Sequence, residues 1–225
     1  MSGFSSTGAT ILNDIEKLPH GLLFWRSMTQ WIGGLGIVFF TIAVLPIFGV
    51  GGIQVFAAEA SGPTHDKVHP RIGITAKWIW GIYAGLTGTL IILLMFGGMN
   101  IFDSICHAFA TTSTGGFSTK QASIEYYHSP YIEYVISIFM FISGINFTLL
   151  LLFVNGKLKK FVHDAELKWY FWSVTGFTIV IAAILYYNSS MGVEEAFRKS
   201  LFQVASLHTS TGFATADYMT WPAIT

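Results

Sequence analysis

"ATTSTGGFST", residues 110–119, is made almost wholly of hydroxyl side chains and glycine, yet it lies between two apolar runs. The setting is a membrane: 52% of the 225 residues are hydrophobic and only 11% are charged, against about 25% charged in a typical soluble domain. Four stretches lack Asp, Glu, Lys and Arg: 27–58, 78–102, 134–156 and 169–193. Each can supply the roughly 20 residues that carry a helix across the hydrocarbon core. The first span is expected over about 22–49, because Gly51 and Gly52 mark an exit.

Two further charge-poor stretches, 104–119 and 200–216, carry apolar residues only in their first halves. A helix of about ten residues is ~15 Å long, half a bilayer. Such a segment is either an ordinary surface helix or one that enters and leaves by the same face. Irregular backbone at that depth is tolerated only where protein or water surrounds it. The basic residues Lys67, Arg71 and Lys77, and then Lys157, Lys159, Lys160 and Lys168, place both connecting segments in the cytoplasm. The half-length segments then dip in from outside. The single Cys106 excludes a disulfide framework, no cleavable signal peptide is visible, and the balanced net charge gives no footprint for a nucleic acid.

The opening string has two relatives, "SGFSSTGAT" at 2–10 and "SLHTSTGFATADY" at 206–218. Anchored on Gly8, Gly115 and Gly212, all three read Ser-Thr-Gly, at spacings of 107 and 97 residues. One such tripeptide is ordinary turn composition. Three, each at the same place in a repeated hydropathy pattern, form an internal repeat. The fold expected is all-α, with tandem helix–loop–helix units in the membrane. Chemically, a cation that sheds its water needs a ring of oxygens, and glycine lets a backbone turn its carbonyls to one side. A preceding half-helix aims its negative C-terminal end at the ion. Candidate ion-binding residues are therefore Ser6, Thr7, Gly8, Ser113, Thr114, Gly115, Ser210, Thr211 and Gly212.

These loops, with "QWIGGLGI" at 30–37, "GPTHDKVHPRI" at 62–72 and "STGFATADY" at 210–218, resemble the TrkH branch of the Trk/Ktr/HKT superfamily of potassium transporters. The resemblance implies four linked helix–pore loop–helix repeats around a pseudo-fourfold path, with one filter glycine each. It implies that Gly8, where a serine favours sodium in the plant-type branch, fits a potassium preference. Residues 1–72 would then end repeat one, 73–162 would be a whole repeat two, and 163–225 would begin repeat three. On that basis the chain is expected to be a fragment that does not conduct alone. The resemblance further implies a multi-pass protein of the inner (plasma) membrane and a homodimer. It also implies a TrkA-like nucleotide-binding regulatory subunit meeting the basic segments 61–77 and 156–168, and no cofactor beyond transported K+.

Other residues keep two readings. Asp217 either concentrates cations outside the third loop or caps a turn. Gly33, Gly34 and Gly36 suit close helix contacts. Asn146 either faces the path or hydrogen-bonds between helices. His65 and His69 could share a helical face, but Pro63 and Pro70 argue for an irregular connection without a third metal ligand. His107 and His208 flank two loops at non-equivalent places, and His208 is expected to pack behind its loop. Trp25, Trp31, Trp78, Trp80, Trp169 and Trp172 suit interfacial anchoring. Arg198 and Lys199 can pair with Glu194 and Glu195 at i,i+4. An enzyme is disfavoured, since no acid–base or metal constellation is clustered. Transport of another monovalent cation such as Na+, or a non-transporting scaffold, are the alternatives to potassium permeation.

Overall fold

The computed structural model describes residues 1–12, 14–44, 72–189, 191–216 and 221, and these contain helices and loops without a strand. In chain order the helices are α1 (His20–Val44), α2 (Ile72–Phe96), α3 (Ile101–Thr112), α4 (Pro130–Ser143), α5 (Phe147–Val154), α6 (Leu158–His163), α7 (Ala165–Asn188) and α8 (Val193–His208). Short 3-10 turns occupy Ile15–Lys17 and Ser123–Tyr127. The rest of the first expected span, His65, His69, Lys67, Arg71 and Asp217 all lie outside the described residues.

Lys77–Phe96 and Ala165–Asn188 are long and apolar enough to cross a bilayer. α7 makes the membrane setting plain. It buries only Val174, Thr178 and Leu185, a single stripe at spacings of four and seven, while Trp172, Phe177, Ile179 and Val180 are all more than half exposed. A helix that is apolar around its whole circumference, and touches protein on one stripe, has lipid on the remainder. Asp164 starts it by accepting from the Glu166 and Leu167 N–H groups.

The third expected span is not one straight helix. α4 and α5 meet at a bend of 100°. Three features of the sequence Ser143-Gly144-Ile145-Asn146 produce it. Gly144 ends α4, Ile145 is buried between the two pieces, and the Asn146 side chain begins α5 by accepting from Thr148 N–H at 3.0 Å. Asn146 is thus a helix cap, a role neither of its two expected ones covered. The break frees the Phe141 carbonyl, since the Ile145 N–H turns to Ile142 instead, and the Tyr170 hydroxyl of α7 donates to that carbonyl at 3.0 Å.

The half-length segments are α3, 12 residues and about 18 Å, and α8, 16 residues and about 24 Å. Neither is a surface helix. α3 packs against α1, α2 and α4, and α8 against α7 and α4, with Cys106, Ala108, Ala110 and Phe202 wholly excluded from the surface. The main core lies among α2, α3, α4 and α8, where Leu90, Leu94, Ile136, Met140 and Phe202 meet the loop residues Phe117 and Phe213. That core holds the hairpin loops against the helices.

Candidate functional site

Each half-helix ends in a loop, and the loops share one backbone. Ser6, Thr114 and Ser210 are left-handed at φ 51, 51 and 57°, and two residues on Gly8, Gly116 and Gly212 follow at φ 72, 74 and 83°. The hydrogen bonds repeat in step. The N–H groups of Ser6, Thr114 and Ser210 donate to carbonyls three residues back, and those of Thr7, Gly115 and Thr211 to carbonyls five back. This sets the correspondence and corrects the sequence register in the second loop. The counterpart of Gly8 and Gly212 is Gly116, and Gly115 stands where the others have Thr7 and Thr211. Ser113 and Thr114 accordingly match Ser5 and Ser6. The tripeptide Ser-Thr-Gly was shared by composition and offset by one position in geometry. The following residues carried the correct signal, since Gly116-Phe117-Ser118-Thr119 matches Gly212-Phe213-Ala214-Thr215.

The loops meet. A β-carbon built on Gly8 would lie 2.2 Å from the Gly115 carbonyl oxygen, and one on Gly116 would lie 1.9 Å from that of Thr211. Gly8 and Gly116 therefore each receive the carbonyl of the next loop where any other residue has a side chain. A β-carbon on Gly212 would meet nothing within 4 Å among the described residues. The carbonyls of Ser6, Thr7, Gly8, Thr114, Gly116, Ser210, Thr211 and Gly212 accept no hydrogen bond from the described residues. Of these residues Thr211 is buried, Ser6, Gly8, Thr114 and Gly116 are half-buried, and Thr7, Ser210 and Gly212 are exposed.

A second recurring joint fixes each loop to its helices. A β-carbon on Gly34 of α1 would strike the Tyr83 hydroxyl at 2.8 Å and Ser113 at 2.9 Å; one on Gly144 would strike the Tyr170 hydroxyl at 2.5 Å and Thr209 at 2.9 Å. Tyr83 donates to the Trp31 carbonyl just as Tyr170 does to Phe141, both at 3.0 Å. Gly33 meets the Phe4 backbone at 2.3 Å, so Gly33 and Gly34 have the packing role expected, whereas Gly36 has no neighbour within 4 Å among the described residues.

His107, fully buried, ties the second loop's exit strand to α3. A carbonyl can only accept, so Nδ1–H donates to the Asp103 carbonyl at 2.8 Å; Nε2 of the neutral ring then accepts a hydrogen bond from the Ser118 hydroxyl at 3.0 Å. Thr119 donates to the Asp103 carboxylate at 2.6 Å. Burial pushes that carboxyl up, but the hydrogen bonds from the Thr119 hydroxyl and the Asn100 amide favour its charged form, and it is held below the ordinary value. His208 lies behind the third loop, 3.2 Å from the Ser173 hydroxyl and against the Tyr170 ring. Arg198 and Lys199 pair with Glu194 and Glu195 at 2.9 and 2.8 Å, and the Lys199 hydrogen bond holds the Glu195 carboxyl below its usual range. Sequence reading missed two partners. Arg198 also reaches buried Glu133 of α4 at 2.5 Å, and fully buried Gln30 of α1 bridges the second loop, donating to Gly115 at 2.6 Å and accepting from Phe117 N–H at 3.2 Å. Among the described residues no group of three or more His, Cys, Asp or Glu side chains could hold a metal ion.

Half-helices that return through repeated glycine hairpins, set among lipid-facing helices, define an all-α membrane protein of helix–loop–helix units. The chain belongs to the family described as "TrkH: Cation transport protein", whose profile matches residues 1–225. Cation transport is not an enzyme class. Among similar proteins, the "Trk system potassium uptake protein TrkH" of Escherichia coli K12 is 44% identical over 230 residues, covering 98% of this chain and 46% of that protein. The "Trk system potassium uptake protein TrkG" of the same strain is 36% identical over 227 residues, covering 100% and 47%. The crystal structure of "the Potassium Transporter TrkH from Vibrio parahaemolyticus" superposes with a TM-score of 0.81 at 35% identity, covering 98% of this chain and 45% of that one. The chain thus spans about half the length of these relatives.

Proposed function

We propose that this chain supplies three hairpins of a potassium permeation path in the inner membrane, within a protein that takes up K+ by replacing its water with backbone oxygens. The observation that carries the reading is the meeting of three loops of one backbone form whose carbonyls, that of Gly115 excepted, accept no hydrogen bond from the described residues, since unpaired oxygens gathered together are what a dehydrated monovalent cation requires. The potassium uptake named for the relatives supports the choice of ion. Residues 5–8, 113–116 and 209–212 are the ligating segments, with Gly116 in the place first given to Gly115. On this reading 1–72, 73–162 and 163–225 belong to successive repeats. A homodimer and a nucleotide-binding cytoplasmic subunit are its assembly partners, and no catalytic step is involved.

The test is Gly116→Ser in the complete protein, with K+ and Na+ uptake measured in cells lacking other potassium uptake. The reading expects K+ over Na+ preference to fall. A variant that folds and keeps the parent's preference would overturn it, as would a parent protein that moves no K+.

A further inference from the structure

The second loop departs from the other two at two positions, and a side chain from another helix sits against the second of them. In the first loop the Ser2 hydroxyl donates to the Ala9 carbonyl, and in the third the equivalent Ser206 donates to Phe213, at 2.8 and 2.7 Å. The second loop has Ala110 at that position. The first loop pairs the Ser5 and Thr7 hydroxyls at 2.8 Å, and the third pairs Thr209 with Thr211 at 2.7 Å. The second loop has Gly115 in place of the threonine, so Ser113 keeps only its bonds back to earlier carbonyls, such as that of Phe109, of the kind Ser5 and Thr209 make to Met1 and Ala205 in addition to their latches. Both internal latches are missing, and the second loop is instead held by Gln30, through different atoms.

Its amide is fully buried, and it grips the loop from either side of Gly116 through the Gly115 carbonyl and the Phe117 N–H. It also fills the volume of the absent side chain. Gly115 is not left-handed, so its backbone would accept a side chain, but a β-carbon there would lie 2.5–2.8 Å from the Gln30 amide. Gly115 is therefore glycine because of Gln30.

We propose that Gln30 is a specificity-determining positioning residue of the second loop, matched to Gly115, and that it holds by an inter-helix amide what the first and third loops hold with their own hydroxyls. This rests on the permeation reading. The Gly115 carbonyl is the one that laps onto Gly8, so the amide that orients it sets the fit between first and second loops. It also makes the ring of loops chemically unequal, because this carbonyl shares its electron density with a donor while the Thr7 and Thr211 carbonyls do not.

The experiment uses the complete protein in cells lacking other potassium uptake, reading K+ and Na+ uptake together with the amount of protein in the membrane. Gln30→Met keeps the bulk and removes the amide. It is expected to lower K+ over Na+ discrimination about tenfold, the equilibrium factor of roughly one buried hydrogen bond, at unchanged membrane abundance. Gly115→Thr alone is expected to abolish uptake, and Gln30→Ala with Gly115→Thr to regain it, because the introduced threonine then has room to pair with Ser113. Discrimination within twofold of the parent in Gln30→Met, or a double variant no better than Gly115→Thr, overturns the proposal. If Gln30→Met does not accumulate, the Gly115→Thr rescue decides alone. Absence of K+ uptake in the unaltered protein would instead count against the permeation reading, so the two failures are distinct.

Discussion

Gly116 has two separate reasons to be glycine, a left-handed φ of 74° and the Thr211 carbonyl placed 1.9 Å from where a β-carbon would be. Gly116→Ala is therefore expected to cost at least about 2 kcal/mol, the left-handed strain alone accounting for ~1–2. Gly85 of α2 has neither constraint, with no neighbour within 4 Å among the described residues and an ordinary φ, so Gly85→Ala should stabilise by up to ~1 kcal/mol. Thermal denaturation of the detergent-solubilised protein compares the two, and equal shifts would refute the account. The sequence allowed the wrong glycine of the Gly115–Gly116 pair to be chosen, because tripeptide composition does not encode φ; Phe117 and Thr119 would have resolved the choice. Gln30 was not legible at all. A single amide in an apolar helix is silent until the fold brings it to partners 85 and 87 residues away.

Between elements, α4 and α8 are joined by Arg198 and Glu133, whose side chains are 11% and 7% exposed. Glu133→Ala removes the buried partner and leaves Arg198 only the exposed Glu194, so it should cost about 2 kcal/mol, the worth of a hydrogen bond between charged groups. Lys199→Ala breaks a pair with 21% and 41% exposure and should cost no more than ~1 kcal/mol. Denaturation midpoints of the two variants test this ordering. The bend between α4 and α5 makes a further prediction. Gly144→Ala collides with the Tyr170 hydroxyl at 2.5 Å but reaches the ring carbon behind it only at 3.3 Å. Tyr170→Phe should therefore restore part of the stability that Gly144→Ala removes, and strictly additive losses would contradict the geometry. The i,i+4 pairs of α8 could be read from spacing alone. Glu133 could not, since 65 residues separate it from Arg198. The bend escaped because hydropathy is continuous across 134–156, although Gly144 and Asn146 spelled a stop and a start.

At the scale of the molecule, hydropathy placed the second and fourth long helices and both half-length ones but not the break in the third, and the half-helices proved to be packed on several sides rather than lying on the surface. The expected orientation yields its own check. Lys160 and Gln121 are both exposed, and in Lys160→Cys and Gln121→Cys variants a membrane-impermeant maleimide added to intact cells should label only the second. Buried Cys106 should stay silent in both. Labelling of Lys160→Cys from outside would invert the topology. The loops overlap like roof tiles, the first resting on the second and the second on the third. Such a stack has a handedness: each tile seats the carbonyl of the next in the gap its glycine leaves, so a side chain put into either gap would push the neighbouring tile away as well as straining its own.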